Sequence, residues 1–563
     1  MKTCRSPLWA ILALGSGVSL AFATPAAAVA PAQQGKAAPK SAAAGLGSLA
    51  TPWRGGAFPR SASWSRQVSG GTAAVSGAGA HSPGAPAPAV TRAQAALSSG
   101  PFNMIWTVAL SQYNQAAETG ESLTQLSNGT IVVGGDDSHL QNYCSTRKNP
   151  LYGGAWLVAA TPSSGSNVWQ HLYSTCATAA QTTSAVSRTA DGGLILAGGD
   201  FDNPACGNGC GWFAKLGAGG SIAWQHDLIG ASSAGAGAIQ PTSDGGYIAV
   251  GNESPTGAGI LEGLIMKITS TGSLQWTQAY SESNASFPGA FSGGNFTFES
   301  VQEAPDGGYI ASGVADAKFS SGYANVLVVM KLDASGTVQW SNVYYGATWD
   351  SGPAGDSQYP IFATPDGGYI LSGTVQASAY PFENLFFLLK LDARGNIAWQ
   401  KGYGGTNSGY DVSREAGGAY ATSDGGYVLA GESNIFLGAA TGWIVKTGAS
   451  GNILWQKTYT GLTSGGGNVI NDIIQTSDGG YAAAGDSWTA NPTYGGPGLW
   501  LVKTDSQGNV GTCGCAQNTN TTPQLLDLGL YQASFAAVPS GLSFSGVNIR
   551  AKATSVTPTT IYP

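Results

Sequence analysis

An Asp-Gly-Gly tripeptide followed by an aromatic or branched residue recurs along the chain from Asp191, Asp244, Asp306, Asp366, Asp424 and Asp478, with Asn128-Gly129-Thr130-Ile131 as a degenerate first copy. Neighbouring copies stand between 53 residues (191 to 244) and 63 residues (128 to 191) apart. A period of that size marks a repeated supersecondary unit, because one such unit buries its apolar faces only against its neighbours. Each unit reads as four strands. In the fifth, 359–364 is a short apolar run, Asp366-Gly367-Gly368 is a hairpin turn whose glycines supply positive φ, and 369–373 is the return. A variable connection leads to 385–392, Asp392-Ala393-Arg394-Gly395 turns the chain, and 396–403 completes the unit. The runs are short, rich in branched and aromatic residues and bounded by turn residues. Four antiparallel strands per unit make one blade of a β-propeller.

The fourth strand carries a tryptophan in six units: Trp169, Trp224, Trp276, Trp340, Trp399 and Trp455. The seventh unit ends without one, whereas 103–109, ahead of the first unit, is an orphan copy of that strand containing Trp106. The expectation is an all-β fold, a seven-bladed propeller of four-stranded antiparallel blades closed by this N-terminal strand, which completes the last blade. Closure of that kind leaves no open sheet edge between first and last blades.

Composition bounds what lies outside the repeats. The chain has 84 glycines, and only 10% of its residues are charged. Its 24 basic against 31 acidic residues argue against a nucleic-acid partner, which calls for a basic stripe. Residues 1–28 read as an export signal: Lys2 and Arg5 precede an apolar run over 8–22, and Ala26-Ala27-Ala28 offers a cleavage site. No second apolar run suits a membrane span. Residues 29–100, rich in Ala, Gly, Ser and Pro, hold too little apolar surface to offset their ordering entropy and read as a flexible segment. The propeller is assigned to 101–515, and the Ser/Thr-rich tail, 516–563, holds candidate extra strands. A secreted or cell-surface monomer is expected, with the periplasm as a further location. Six cysteines remain after cleavage: Cys144, Cys176, Cys206, Cys210, Cys513 and Cys515. In an exported chain they suggest disulfides, with Cys144–Cys176 and Cys206–Cys210 the preferred pairs. Zinc is the rival reading, but no nearby histidine completes a tetrahedral set, so no metal site is assigned.

A residue present in every blade serves the fold, since catalysis needs its groups once. The Asp-Gly-Gly turns, the tryptophans and the third-strand lysines (Lys215, Lys267, Lys331, Lys390, Lys446 and Lys503) are therefore structural. Function falls to the variable loops, which in a four-stranded blade share one face opposite the tight turns. That face collects Asp136, Asp137, Asp200, Glu253, Glu432 and Asp486 at second-strand ends, and Glu121, Glu299 and Asp472 near the starts of inner strands. Such carboxylates can bind a hard cation, Ca²⁺ being the candidate and Asp200-Phe201-Asp202 a partial loop pattern, or act as an acid/base pair. The competing reading makes them solvated rim charges. Trp349, Tyr359, Tyr380 and Trp488 fall on the same loops and can stack on sugars or on partner side chains, or pack against neighbouring loops. No H-E-x-x-H, phosphate loop or nucleophile elbow is present, and the four histidines, His81, His139, His171 and His226, form no recognisable triad.

Segments such as 476–481 (Thr-Ser-Asp-Gly-Gly-Tyr) and 390–399 (Lys-Leu-Asp-Ala-Arg-Gly-Asn-Ile-Ala-Trp) resemble the repeats of bacterial and archaeal exported propellers, some of which are labelled endoglucanase. The Asp-x-x-Gly-x-x-x-Trp part is similar to the tryptophan-docking motif of quinoprotein-like propellers, in which each blade's tryptophan locks to the next. The resemblance covers 103–510 and is specific for fold. Quinoprotein dehydrogenases with this motif generally have eight blades, a cofactor-bound Ca²⁺ and commonly a disulfide between adjacent cysteines. Seven blades and no adjacent cysteine pair imply instead a non-catalytic relative without a quinone cofactor, used as a binding or assembly platform. The leading expectation is thus an interaction scaffold for a protein or glycan. A polysaccharide-active enzyme of glycoside-hydrolase type and a purely structural surface module stand as rivals.

Overall fold

The computed structural model describes residues 106–110, 119–137, 154–174, 181–205, 209–255, 260–285, 290–319, 322–346, 359–379, 382–404, 416–433, 441–460, 467–487 and 498–511. In the tail it describes 516–518, 524–525, 528–539, 543–546, 550–553 and 559–562. Every element among these residues is a β-strand, and none is a helix able to cross a membrane.

Strand β1 (Trp106–Leu110) precedes the repeats. Blade 1 holds β2 (Ser122–Gln125), β3 (Ile131–Asp137), β4 (Gly154–Ala160) and β5 (Asn167–Ser174). Blade 2 holds β6 (Gln181–Arg188), β7 (Leu194–Asp200), β8 (Cys210–Leu216) and β9 (Ile222–Ile229). Blade 3 holds β10 (Ser233–Pro241), β11 (Tyr247–Ser254), β12 (Glu262–Ile268) and β13 (Leu274–Ala285). Blade 4 holds β14 (Ala290–Glu303), β15 (Tyr309–Phe319), β16 (Gly322–Leu332) and β17 (Val338–Gly346). Blade 5 holds β18 (Ile361–Ala363), β19 (Tyr369–Ala379), β20 (Phe382–Leu391) and β21 (Ile397–Tyr403). Blade 6 holds β22 (Ala416–Ala421), β23 (Tyr427–Ser433), β24 (Thr441–Thr447) and β25 (Ile453–Tyr459). Blade 7 holds β26 (Asn468–Gln475), β27 (Tyr481–Ser487) and β28 (Gly498–Thr504), and its fourth strand is β1, antiparallel to β28. Trp106 stands opposite Lys503, as Trp224 stands opposite Lys215 in blade 2. The seven-bladed ring closed by the N-terminal strand is therefore the observed architecture.

Seven apolar clusters lie among the described residues, each shared by two neighbouring blades. The cluster of Leu123, Val133 and Trp156 with Ala482, Leu499 and Leu501 joins blade 1 to blade 7. Second and third strands are covered on both faces by adjacent blades. They accordingly read as continuous apolar runs, such as Leu194–Asp200, rather than as an alternation.

The repeated residues are fasteners. In six blades the third-strand lysine is buried and its ammonium lies 2.8 to 2.9 Å from the aspartate of its own Asp-Gly-Gly turn, from Lys215–Asp191 to Lys503–Asp478. The same aspartate accepts the N–H of the second glycine, as Asp306 does from Gly308 at 3.0 Å. At Gly192 φ is +83°, and a Cβ on Gly193 would come within 2.2 Å of the Leu216 carbonyl, so a side chain at either position of this turn is strained. Each of the six described fourth-strand tryptophans reaches the third-to-fourth-strand turn of the next blade: a Cβ on Gly272 would meet the Trp224 ring at 2.7 Å, and one on Gly508 the Trp455 ring at 2.6 Å. In five blades a tyrosine four residues on caps the same turn, Tyr173 donating to the Gly220 carbonyl and Tyr403 to that of Gly451, both at 2.7 Å. That tyrosine escaped the reading of the repeat.

The tail is part of the ring. Strand β29 (Ala516–Asn518) pairs with β25 of blade 6, and β30 (Gln524–Leu525) with β21 of blade 5. The first half of β31 (Leu528–Pro539) pairs with β17 of blade 4 and its second half with β13 of blade 3. Strand β32 (Ser543–Gly546) joins β9 of blade 2, β33 (Arg550–Ala553) joins β5 of blade 1, and β34 (Thr559–Tyr562) joins β1 in blade 7. Running against the order of the blades, the tail adds an outer antiparallel fifth strand to each. Every fourth strand is thereby removed from the edge of its sheet, where unpaired N–H and C=O groups would template other chains.

Candidate loop-face site

One end of the ring is built from the tight turns, whose geometry repeats. The opposite end takes the ends of the second strands and the starts of the third, such as Asp137 and Gly154 in blade 1 and Ser487 and Gly498 in blade 7. Blades 4 and 5 rise above it. Their β15 and β19 have 11 residues each, where β7 has 7. Four extra residues (11 less 7) lengthen a strand by about 13 Å. Around blade 5 the strands thus run further toward this end than the 369–373 and 385–392 spans suggested.

Most of the candidate acids are not solvated rim charges. Asp137, Asp200, Glu253 and Glu432 are buried, while Glu121, Asp136, Glu299, Asp472 and Asp486 are half-buried. Several clasp the main chain of the next blade. The inner strands β6, β10, β14, β22 and β26 carry bulges, and a bulge leaves an N–H without a ladder partner. Asp136 accepts the Thr183 N–H at 2.9 Å, and Asp486 accepts that of Gly120 at 3.1 Å. Asp472 accepts the Leu123 N–H at 2.9 Å, across the junction of blades 7 and 1. Burial holds its carboxyl up at about 7, against the lowering by the Leu123 and Ile473 N–H groups and the Ser122 hydroxyl.

The acids gather where blades 7, 1 and 2 meet. Glu121, Asp136 and Asp137 stand around the start of β2, with Asp486 joined to them through the Gly120 N–H. Burial first, then the neighbouring charge of Glu121, raise the Asp136 carboxyl well above the usual range. Glu299, at the bulge of β14, faces the Gly237 bulge of β10. Glu253 and Glu432 stay apart from this group, in blades 3 and 6.

A second acidic group was missed in the sequence. Asp227 of β9 is fully buried and shares a face of blade 2 with Asp200: Asp200 is in register with Cys210, and Asp227 with Trp212. Burial first, and then the proximity of Asp200, push its carboxyl far above the ordinary value, against a hydrogen bond from Asn203. The equivalent fourth-strand position holds Leu172, Ala279, Val343, Gly402 or Thr458 in other blades. A charge breaking an uncharged slot was the available signal.

Tyr359 is not a loop aromatic. It is buried in the cluster between blades 4 and 5, its ring 6.3 Å from that of Phe387. Trp349, Tyr380 and Trp488 lie outside the described residues, as do Cys144, Cys176, Cys206, Cys513 and Cys515. Cys210 is disulfide-bonded. The side chain of Trp106 is likewise outside the description; only its strand is placed.

No protein-family model matches the chain, and no curated protein does. Among solved structures it is similar to a protein of unknown function from Dyadobacter fermentans DSM 18053, at 11% identity and a TM-score of 0.38, over 71% of this chain and 97% of that one. It is also similar to the exotype rhamnogalacturonan lyase YesX, at 11% identity and a TM-score of 0.31, over 72% of this chain and 76% of that one. Likenesses this remote carry no argument about activity.

Proposed function

We propose that this is an exported or cell-surface binding scaffold that engages a glycan through its loop face, centred on the acids where blades 7, 1 and 2 meet. The observation that carries the reading is the juxtaposition of Glu121 with Asp136, both half-buried, the charge of Glu121 helping to raise the Asp136 carboxyl. Sugar hydroxyls donate to carboxylates and relieve such crowding without bringing a counter-charge. The hairpins of blades 4 and 5 bound the face on one side and give it a direction. Glu121→Gln is expected to weaken binding of the preferred polysaccharide about tenfold, the loss of one charge-assisted hydrogen bond of roughly 1.4 kcal/mol, with the melting temperature unchanged. Binding of the full chain to an array of neutral plant and bacterial polysaccharides is the measurement. A wild-type protein that binds none of them excludes the glycan reading and leaves a protein partner. The same acids favour a second reading: Asp136, its carboxyl raised by burial and by the neighbouring Glu121, has the environment of the acid in an acid/base pair. New reducing ends released from the bound polysaccharide, and lost in Glu121→Gln, would make the protein an enzyme.

A further inference from the structure

Among the described residues, two buried carboxyl oxygens in blade 2 find no donor. Asp200 is 1% exposed and Asp227 0%. Asp200 Oδ1 accepts from Gln181 Nε2 at 2.8 Å and from the Asp202 N–H at 2.9 Å. Asp227 Oδ2 accepts from Asn203 Nδ2 at 2.7 Å. The other oxygen of each, Asp200 Oδ2 and Asp227 Oδ1, is buried and receives no donor, while the two carboxyl groups share one face of the blade, near enough for Asp200 to disfavour the charge of Asp227. Beside them the buried indole Nε1 of Trp212, in register with Asp227, finds no acceptor.

Among the described strands of blade 2 and its outer strand, no basic group relieves the pair. In β6 to β9 the basic side chains are Arg188, exposed at the turn end, Lys215, bound to Asp191, and His226, whose position next to Asp227 places it on the opposite face of β9. The outer strand β32 sets Ser545 opposite Asp227 and has no charged residue. Asp202 adds a further negative charge, itself held by Gln181 Nε2 at 3.2 Å. Two facing buried carboxylates cannot both ionise without a counter-ion, so a proton or a cation sits between them.

We propose that a hard divalent cation of the Ca²⁺ class binds between Asp200 Oδ2 and Asp227 Oδ1, displacing the proton that the pair otherwise shares. The balance is one ion in and one proton out: both oxygens become ligands, and the pair passes from one net negative charge to a neutral ion complex. Among the described residues no three acid, histidine or cysteine side chains close a metal site. Water and amide oxygens therefore complete the six to eight positions such an ion takes, and a bound water is placed to accept from the Trp212 N–H. With two carboxylate ligands the affinity belongs to the weak extracellular class, Kd about 10⁻⁴ to 10⁻³ M. Binding also holds the loop after β7 to the outer half of blade 2, where β9 is kept from solvent by β32. The inference is independent of the glycan reading, because it concerns groups sealed from the loop-face surface.

The full chain, stripped with chelator, is titrated with Ca²⁺ alone by calorimetry in two buffers of different ionisation enthalpy. The expected result is one saturable site, release of about one proton per ion near neutral pH, and a 10- to 100-fold larger folding constant at about 10 mM Ca²⁺. Asp227→Asn, which keeps the shape of the side chain, is expected to fold and to lose the site; Asp200→Asn serves as the second variant. No binding by the wild-type protein at about 10 mM, or binding without proton release, overturns the proposal. So does binding that survives both substitutions.

Discussion

The ion pair between Asp306 and Lys331 shows what a single repeated contact is for. Lys331 is buried and Asp306 about half exposed, with side-chain exposures of 3% and 54%. The two partners are thus unequal. Asp306→Ala leaves an ammonium in the blade with only the Leu332 carbonyl at 2.9 Å, whereas Lys331→Met leaves a carboxylate that water can reach. The first is expected to cost about 3 kcal/mol and the second less than about 1 kcal/mol. Blade 1 has made the compensated change already: Asn128 replaces the turn aspartate, and Ala159 stands at the lysine's register position opposite Trp169. Asp306→Asn combined with Lys331→Ala should therefore cost less than the sum of the single changes. Urea midpoints of the variants decide it, and equal losses from Asp306→Ala and Lys331→Met would refute the asymmetry.

At the level of an element, the inner strand β26 contributes an acid-to-main-chain clasp, Asp472 on the Leu123 N–H, and that clasp is tuned by pH. The Asp472 carboxyl sits at about 7 in the folded protein, because burial disfavours its charge. In the unfolded chain it ionises near 4, about the reference value for Asp. A carboxyl raised on folding stabilises fully below its unfolded value and loses that contribution as pH rises through the folded one. Wild-type protein should therefore melt at a lower temperature at pH 8 than at pH 5. Asp472→Asn, which has no proton to lose, should show a smaller difference, and a profile unchanged by the substitution would rule out this origin. The element also explains what the sequence concealed. Asp472 was legible as an acid near an inner strand, but whether it met water or the neighbouring Leu123 N–H depended on a bulge between Ile470 and Asp472 that no local pattern marks.

For the whole molecule, closure is double. The N-terminal strand β1 pairs with β28 on one side and with the last tail strand, β34, on the other. The first and the last described strands are thereby joined in blade 7. Removing residues 557–563 deletes the pairings of Thr107, Val108 and Ala109 with β34, and is expected to cost about 2–3 kcal/mol, roughly one per lost hydrogen bond. Removing the tail from residue 512 onward bares the fourth strand of every blade, and self-association is the expected consequence. Chemical denaturation and sedimentation velocity check the two truncations. A tail-less protein that stays monomeric with an unchanged midpoint would mean that the belt contributes nothing to the ring.

The sequence by itself determined the blade count, the turn chemistry and the place of Trp106, because a repeat compares each position with its six counterparts and its register carries across the chain. Asp191 and Trp224 declare their roles by recurring. Only the tertiary structure decided the course of the tail, the clasping role of Asp136, Asp472 and Asp486, and the meeting of Asp200 with Asp227. The tail strands are short, pair through main-chain groups common to all residues, and repeat no motif. The acids acquire their partners from other blades or from strands two places away, at separations that composition and spacing do not encode.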